Sequence, residues 1–374
     1  MTNPRDSSGE NPAVKGSVVS VRFGLSFLPD CTPETKSPQD YFSDALELSV
    51  RAEAGGLDSV KMTEHYLHHY GGYCPSPLGF LSAVAARTSS VRLITGCVLP
   101  VFHHPIQLAA EAAQVDAISG GRLDVGFARA YLPDEFDALG VDMDESVDRY
   151  RETIRAVRRI WTEEKVSEET PFFSYRDVTG LPRPTQQPHP PMWGAAVRTP
   201  ESFTWLGTEG LGLLITPMIS PHEFRAQLTL YRDAFRAAHG GSGLRPRVAA
   251  SLPLVVAETD ERATEIAETY LRRYLDVWAE AVNPWDRRES SAYRGYSGFG
   301  WMLRNLRPEK LYTEGGAIVG SPATVIDRIR AFNDHIGGVD QILWQIDFGA
   351  MPLPEARQTL ELFCDQVLPE VKAL

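Results

Sequence analysis

An arginine stands directly after one of the apolar runs of this chain. The run Leu123–Ala128 is typical of a buried strand, and Arg129 follows it. Ligands of α/β sheets and barrels bind at the carboxyl ends of the strands, and a planar guanidinium can bind a phosphate through two parallel hydrogen bonds. Two interpretations follow: Arg129 binds an anionic ligand, or it forms a surface ion pair with Asp134 or Glu135.

A histidine and a glutamate follow another predicted strand. Glu64 and His65 come directly after the run Ser59–Thr63. Imidazole exchanges a proton near neutral pH, which makes His65 a candidate general base. Glu64 would flank this histidine and hold its ring. The alternative is a purely structural role, because a lone histidine is more often structural than catalytic.

The histidines and cysteines give no clear metal or disulfide pattern. The histidines concerned are His65, His68, His69, His103 and His104. An H-x-x-H-H spacing can bind zinc, but no third-ligand pattern or H-E-x-x-H spacing accompanies it. The four cysteines contain no C-x-x-C pair; they are Cys31, Cys74, Cys97 and Cys364. We therefore predict no metal and no disulfide framework, in agreement with a reducing cytoplasm.

Composition places the chain among ordinary globular proteins. It has 374 residues, of which 43% are hydrophobic and 23% charged, and a formal net charge of −12. The acidic balance argues against a nucleic-acid surface or an anionic membrane as partner. No apolar run approaches the roughly 18 residues that a membrane span needs. The polar segment 1–17 lacks the apolar region of a secretory signal and is predicted to be a disordered leader, so we expect a cytoplasmic protein.

Short apolar runs alternate with amphipathic stretches along the rest of the chain. The predicted strands are Val18–Leu28, Ser59–Thr63, Arg92–Val98, Leu123–Ala128, Met192–Ala196, Gly212–Thr216, Arg247–Val256 and Gln341–Ile346. The predicted helices are Asp40–Ala54, Leu78–Thr88, Ile106–Ile118, Val147–Thr162, Glu201–Leu206, Pro221–Ala238, Asp260–Val282, Ala323–His335 and Pro354–Lys372. The strands are almost continuously apolar, as parallel strands covered on both faces should be.

Eight such alternations predict an α/β fold, a (β/α)8 TIM barrel with insertions after strands 4 and 7. A doubly wound sheet with an added domain is the second choice. Residues 18–374 would form one barrel domain. The insertion Glu163–Pro190 is predicted to form a hairpin or arm. The insertion Asn283–Gly316, rich in glycine and aromatic residues, is predicted to form a lid or binding loop.

Nearly the whole chain after about residue 20 resembles the bacterial-luciferase-like flavin monooxygenases. The resemblance lies in the order and spacing of several short motifs. They are Thr63-Glu64-His65, the stretch from Pro105 through Ser119-Gly120-Gly121-Arg122 to Arg129, Met192-Trp193-Gly194, Gly320-Ser321-Pro322 and Asp347-Phe348-Gly349. The resemblance implies a barrel that takes reduced FMN from a separate flavin reductase. It also implies a homodimer and a segment 283–316 that acts as a mobile active-site loop.

The same resemblance implies the chemistry. O2 would add to the flavin, and the C4a-peroxyflavin would transfer one oxygen atom to an apolar or aromatic organic substrate. The chain has no G-x-G-x-x-G fingerprint, which fits a flavin delivered from elsewhere better than a nicotinamide bound here. Hydroxylation, Baeyer–Villiger insertion and aldehyde oxidation all remain open. His65 matches the active-site histidine of the family, whereas Tyr66 stands where a second histidine is common.

The resemblance also assigns cofactor-binding residues. Arg129 matches the phosphate-binding arginine, Thr199 matches a phosphate-binding threonine, and Arg198 would be an additional cation. Two polar positions of the family are Ala195 and Ala196 in this chain, so only their backbone N–H groups could bind the phosphate. The flavin ring would lie over Gly96, near a non-proline cis peptide, and beside Trp193.

Two other functions remain possible on these residues. Related barrels bind a deazaflavin and transfer hydride without oxygen. A non-catalytic flavin-binding partner subunit is the other possibility, although the presence of both His65 and Arg129 argues against it. Aromatic residues in the loops favour an apolar or aromatic pocket; they are Tyr66, Tyr70, Tyr73, Tyr131, Trp285, Tyr296, Phe299, Trp301 and Trp344.

Overall fold

Eight parallel strands form a closed barrel in the computed structural model, which describes residues 20–218 and 224–374. The predicted leader 1–17 lies outside the described residues, as does the start of the helix predicted at Pro221. The barrel strands are β1 Arg22–Phe27, β2 Ser59–Met62, β3 Arg92–Thr95, β4 Leu123–Phe127, β7 Met192–Ala195, β8 Gly212–Ile215, β9 Val248–Val256 and β11 Gln341–Gln345. Each lies within a predicted range, so the predicted barrel is confirmed.

The strand pairing explains how the barrel closes. The order around it is β1-β2-β3-β4-β7-β8-β9-β11, and β11 pairs again with β1. Strand β9 is long enough to pair with three neighbours: its first half contacts β8 and β11, and its second half contacts β10, Ile318–Gly320. Strand β10 was not predicted, because three residues are too few to show a periodic pattern.

Helices follow the strands on the outside of the barrel. They are α1 Pro38–Ala54, α2 Pro77–Ala85, α3 Pro105–Ile118, α4 Pro133–Leu139, α5 Ser146–Thr162, α6 Pro200–Thr208, α7 Phe224–His239, α8 Asp260–Ala281, α9 Phe299–Asn305, α10 Pro308–Thr313, α11 Pro322–Ile336, α12 Leu353–Leu362 and α13 Leu368–Val371. Many begin at a proline, which suits the first helical turn because its missing N–H has no partner there. A π turn, Phe363–Val367, separates α12 from α13, so the last predicted helix is interrupted. No helix of the described residues is long and apolar enough to cross a membrane.

Both insertions contain regular structure. The first carries an antiparallel hairpin of β5, Val166–Glu169, and β6, Ser174–Val178. The second carries α9 and α10, which the sequence analysis missed because each is only six or seven residues long. The side chains of this second insertion pack over the carboxyl end of the barrel.

The buried hydrophobic side chains of the described residues form two clusters. The larger one lies between the strands and the outer helices; within it Phe23 stacks on Trp344, and both rings contact Phe363. The smaller cluster consists of Ile94, Cys97, Trp193, Leu214, Ala249 and Leu343. It fills the inside of the barrel, so the barrel is a packed core and only its mouth can receive a ligand.

Two buried carboxyl groups lie where β1 and β11 end. Asp347 accepts a hydrogen bond from the Tyr41 hydroxyl at 2.8 Å, and Asp30 accepts one from the Gly349 N–H at 2.5 Å. Each keeps one buried oxygen without a partner among the described residues. Burial raises the pKa of Asp347 to about 6, and burial together with the charge of Asp347 raises the pKa of Asp30 well above its usual range.

This pair makes the stability of the fold depend on pH. The folded protein holds a proton on Asp347 more tightly than the unfolded chain does. We therefore expect the contribution of Asp347 to the free energy of unfolding to fall by about 2–3 kcal/mol as the pH rises from about 4 to 6. Asp347→Asn should lose this contribution, and the resulting difference in pH slope from the unsubstituted protein is measured by urea unfolding across the interval. Asp327→Asn, an exposed substitution, is the matched control; equal slopes for Asp347→Asn and the unsubstituted protein would contradict the prediction.

Candidate active site at the carboxyl ends of the strands

A cavity of about 230 Å³ lies at the mouth of the barrel, where the strands end. Residues after β1, β2, β3, β4, β7 and β8 line it, together with residues of the second insertion. The cavity brings together all but one of the site residues predicted from the sequence. These are Glu64, His65, Gly96, Arg129, Ala195, Ala196, Arg198 and Thr199.

Arg129 is half-buried at one end of this cavity. Its guanidinium lies 4.2 Å from the ring centre of Tyr293. None of the described carboxylates is within ion-pair distance: Asp134 pairs with His68 at 3.3 Å, and Glu135 lies against His65. The interpretation of Arg129 as a surface ion pair with Asp134 or Glu135 is therefore wrong. A guanidinium whose charge faces only an aromatic ring is available to an anion.

A second cation lies near Arg129. Arg151 of α5 lines the cavity, and its guanidinium lies 5.4 Å from the ring centre of Trp205. Its neighbours on the helix form surface ion pairs, and Arg151 has no such pair with a described residue. Arg151 was not predicted, because α5 contains five arginines and nothing in their spacing distinguishes the one that faces the cavity.

The start of α6 offers backbone donors to the same end of the cavity. No described residue accepts a hydrogen bond from the N–H of Val197, Arg198 or Thr199, and the Thr199 side chain does not cap the helix. The N–H of Ala196 instead donates to the Leu214 carbonyl at 3.2 Å. The prediction that the Ala196 backbone binds a phosphate is therefore wrong, since pairing with β8 extends one residue beyond β7. The available donors begin at Val197.

Arg198 is exposed and contacts the second insertion. Its Nη1 donates to the Gly295 carbonyl at 2.9 Å, and its guanidinium lies 5.4 Å from the ring centre of Phe299. Arg198 thus ties the start of α6 to the segment that covers the cavity. It lines the cavity at the same time, so a contact with an anion remains a prediction.

His65 is held by a carboxylate that the sequence analysis did not identify. Its Nδ1 lies 3.0 Å from Oε1 of Glu135, which is fully buried in α4 and also accepts the Tyr66 N–H at 2.8 Å. Glu64 does not contact the His65 ring, so the prediction that Glu64 holds this ring is wrong. Glu135 is 70 residues away along the chain, and only the fold brings the two together. With Nδ1 engaged, Nε2 of His65 has no described partner.

Glu64 lies at the centre of a different network. It accepts hydrogen bonds from the Leu99 N–H at 3.0 Å and the Tyr66 hydroxyl at 2.6 Å, and it lies 2.8 Å from Nε2 of His103. Burial by itself lowers the pKa of His103, but the hydrogen bond and charge of Glu64 outweigh burial and raise it. Glu64 therefore fixes the loop after β3 against the end of β2.

Gly96 lies on the wall of the cavity, whereas Trp193 lies beneath it. The Gly96–Cys97 peptide is cis, as the resemblance implied. A Cβ atom at Gly96 would lie 2.0 Å from Cε of Lys61, so glycine is required for the lysine stem to pass. Trp193 is fully buried inside the barrel and donates to Asp124 at 3.0 Å. The prediction that Trp193 lies beside a flavin ring is wrong, because Trp193 points inward one layer deeper than Ala195.

The remaining histidines and cysteines lie in ordinary packing environments. His68 and His103 each face one carboxylate. Among the described residues there is no group of three or more side chains able to hold a metal ion. Burial raises the pKa of the Cys97 thiol to about 12, so it stays protonated beside the cavity.

Aromatic side chains form the walls and the cover of the cavity. The second insertion is fastened to the loop after β4: the Tyr293 hydroxyl donates to the Ala130 carbonyl at 2.9 Å, and Nε1 of Trp285 donates to the Tyr131 carbonyl at 2.9 Å. The aromatic lining consists of Tyr70, Tyr131, Tyr150, Trp205, Tyr274, Tyr293 and Tyr296. Of the aromatic residues singled out in the sequence, Trp344 instead lies in the core and Trp301 is exposed.

Comparisons with known proteins agree with this geometry. A family model described as luciferase-like monooxygenase matches residues 21–339. The crystal structure of monooxygenase RslO1 from Streptomyces bottropensis has 38% sequence identity and a TM-score of 0.80, covering 93% of this chain and 99% of that one. The oxygenase component of a flavin-dependent trigonelline monooxygenase from Acinetobacter baylyi is 27% identical over 93% of this chain and 95% of its own length. An F420-dependent glucose-6-phosphate dehydrogenase from Amycolatopsis mediterranei is 32% identical over 46% of this chain and 53% of its own length.

The effect of Glu64 on the pKa of His103 can be tested without any ligand. In Glu64→Gln the carboxylate charge is lost, so the pKa of His103 should fall, as followed by NMR titration of the imidazole. Because a raised histidine pKa stabilises the folded state only while the ring is protonated, this substitution should destabilise the protein more at pH 6 than at pH 8. The expected loss at pH 6 is about 1–3 kcal/mol. An unchanged His103 titration would contradict the assignment, and Glu111→Gln tests the smaller contribution of a second nearby carboxylate.

Proposed function

The chain belongs to the luciferase-like monooxygenase family and is a flavin-dependent monooxygenase, and from this premise we propose a specific reaction. The enzyme uses reduced FMN and O2 to place one oxygen atom on an apolar or aromatic organic substrate. A separate reductase supplies the reduced FMN, a proposal supported by the "oxygenase component" named among the relatives. We further propose a cytoplasmic homodimer whose residues 18–374 fold as a single domain.

The observation that carries this proposal is the cationic end of the cavity. Arg129 and Arg151 line it without a described carboxylate partner, and the free N–H groups at the start of α6 lie beside them. Guanidinium groups and helix N-termini both bind phosphate groups. These residues fit the phosphate of FMN, with Thr199 as a further hydrogen-bonding group.

The middle of the cavity fits a flat ring. Gly96 and Cys97 form one wall. Ala128 and Ala195 line the adjacent walls, and their small side chains leave room for a ring. Reduced flavin, when bound, supplies the two electrons that activate O2. The chain itself contributes the enclosure: the hydrogen bonds of Tyr293 and Trp285 to the loop after β4 hold the cover in place and exclude water from the mouth.

His65 supplies the proton-transfer group. Glu135 accepts a hydrogen bond from Nδ1–H and fixes the tautomer, so that Nε2 carries the free lone pair. An imidazole held in this way can take a proton from a group in the cavity and return it. Glu64 acts in our proposal by fixing the loop after β3, and Glu135 takes the orienting role first predicted for Glu64.

The aromatic walls support the proposed substrate class. Seven tyrosine and tryptophan side chains line the cavity. Guanidinium groups lie over the rings of Tyr293, Trp205 and Tyr296, and no described guanidinium lies over the other four rings. Such walls favour a flat apolar or aromatic compound. Hydroxylation, Baeyer–Villiger insertion and aldehyde oxidation all fit this cavity.

The F420-dependent relative makes a deazaflavin-dependent hydride transfer the second candidate function. Equilibrium dialysis against FMN and against F420, followed by rapid mixing of the FMN complex in its reduced state with oxygenated buffer, separates the alternatives. Selective FMN binding and reoxidation slower than that of free FMN would support the monooxygenase reaction. Selective F420 binding would support hydride transfer, and FMN binding without any change in its oxygen reaction would point to a non-catalytic subunit.

The phosphate assignment can be tested by comparing FMN with riboflavin, which lacks the phosphate. Loss of a charge-assisted contact costs about 1.5–3 kcal/mol, so Arg129→Ala should weaken FMN binding by about 10- to 100-fold. Riboflavin affinity should change little, so the preference for FMN over riboflavin should shrink by the same factor, as measured by fluorescence titration. Arg155→Ala on the outer face of α5, where the side chain pairs with Glu209, is the control. Equal losses for FMN and riboflavin would refute the phosphate contact.

The His65–Glu135 assignment predicts a graded series of rates. His65→Gln should slow the reaction of the reduced flavin complex with O2 by about 100-fold or more, the usual contribution of a general acid–base group. Glu135→Gln, which keeps an acceptor for the Tyr66 N–H, should have an intermediate effect. FMN affinity should stay within about threefold in both variants, measured beside stopped-flow reoxidation. A rate equal to that of the exposed control His104→Gln would exclude His65 from the reaction.

A further inference from the structure

A lysine is buried at the floor of the cavity without an opposing carboxylate. Lys61 of β2 is only 7% exposed, and its Nζ donates to the Ser26 hydroxyl at 2.8 Å. No described carboxylate lies within ion-pair distance of it. Buried ammonium groups are costly unless a negative charge or several acceptors compensate them. None of the contacts proposed above for the flavin phosphate and ring involves the positive charge of Lys61.

Three further polar side chains accompany Lys61 on the cavity floor. They are Ser26 of β1, Ser251 of β9 and Gln345 of β11, each less than 9% exposed and each lining the cavity. The Nε2 of Gln345 is buried and has no hydrogen-bond partner among the described residues. An ammonium, an amide N–H and two hydroxyls together form a set of donors that is suited to an acceptor carrying negative charge.

This donor set is centred away from the cationic end of the cavity. Gln345 of β11 is four steps around the closed sheet from β4, which precedes Arg129, and Ser26 and Ser251 are each three steps away. Lys61 of β2 is two steps away, a quarter of the eight-stranded barrel. A ligand group bound among these four side chains is therefore a different group from the phosphate bound near Arg129.

We propose that Lys61, Gln345, Ser26 and Ser251 form a second anion-binding subsite, which binds a negatively charged oxygen at the floor of the active-site cavity. The inference rests on the proposed function, because it concerns the same cavity. Two sources can supply such an oxygen: a carboxylate, phenolate or enolate of the substrate, or the pyrimidine edge of reduced FMN. Both would contact Lys61 directly.

The electrostatics of Lys61 agree with this subsite. Burial lowers the pKa of the Lys61 ammonium to about 8, while the nearby Cys97 and Asp347 act in the opposite direction. The Cys97 thiol stays protonated, because burial raises its pKa to about 12. Asp347 lies beyond ion-pair distance of Lys61, so neither group contacts the ammonium as a bound anion would.

The substrate source is tested with benzoate and its uncharged analogue benzamide as probes, without any flavin. We expect the unsubstituted protein to bind benzoate at least tenfold more tightly than benzamide in calorimetric titration. Lys61→Met keeps the length of the stem, and Gln345→Leu removes the unpartnered amide. Both substitutions should reduce the benzoate preference, and Lys61→Met should abolish it.

The flavin source is tested by the affinity ratio of reduced to oxidised FMN. If Lys61 binds the pyrimidine edge, Lys61→Met should weaken binding of reduced FMN about tenfold more than binding of oxidised FMN. For a two-electron couple this is a fall of about 30 mV in the midpoint potential of the bound flavin. Spectroelectrochemical titration of the complex measures this fall.

Either effect supports the subsite and identifies its source, and the absence of both overturns it. Lys310→Met, an exposed lysine paired with Glu314, is the matched control, and circular dichroism checks that each variant folds. If the unsubstituted protein binds no FMN, the proposed function fails. The benzoate comparison still decides the subsite in that case, since it uses no flavin.

Discussion

Closure of the parallel barrel is the constraint on which every part of the site depends. Strand β1 pairs with both β2 and β11, and β9 pairs with both β8 and β11, so the sheet has no free edge between its first and last strands. Because all eight strands run the same way, their carboxyl ends meet at one rim. Side chains about 300 residues apart, such as Tyr41 and Asp347, become hydrogen-bonded neighbours there. The chemistry of the site is assembled by topology and not by local sequence.

Buried acids give this rim its rigidity. Glu64, Glu135, Asp30 and Asp347 are all nearly inaccessible to water. Glu64, Glu135 and Asp30 each accept a backbone N–H from a loop that follows a strand, and Asp347 accepts the hydroxyl of Tyr41 in α1. Hydrogen bonds reduce the cost of burying such an acid. Each acid therefore holds two segments of the rim in one relative position. A cavity whose loops are held in advance can orient a cofactor without first paying to order its own walls.

The sequence was sufficient for most of the fold because parallel barrel strands are buried on both faces. Such strands appear as short, nearly continuous apolar runs between helices with proline starts, and all eight were found. Elements of three to seven residues, such as β10 and α4, have no detectable period, and contacts with the barrel hold them. The lining positions of Arg129 and His65 could be predicted because each lies within three residues of the end of a strand.

The errors in the site have a common physical origin. The distance between Glu135 and His65 depends on the path of the chain between them, and no local pattern encodes it. The resemblance predicts Trp193 beside the ligand, but the depth of Trp193 within the barrel depends on the register of β7 with its neighbouring strands. Pairing of Ala196 with Leu214 likewise depends on where the β8 contact ends. Sequence patterns predict which residues reach the rim, and strand register decides which of them face the cavity.

The close contact between Lys61 and Gly96 makes the residue types allowed at these two positions depend on each other. The lysine methylenes occupy the volume that a side chain at position 96 would need. A relative can therefore carry a larger residue at the position of Gly96 only if the residue at the position of Lys61 is shorter or takes another path. Such a double replacement would exchange the charge on the cavity floor for a side chain in its wall. The two positions should thus covary among relatives, and this covariation would separate subfamilies with different ligand preferences.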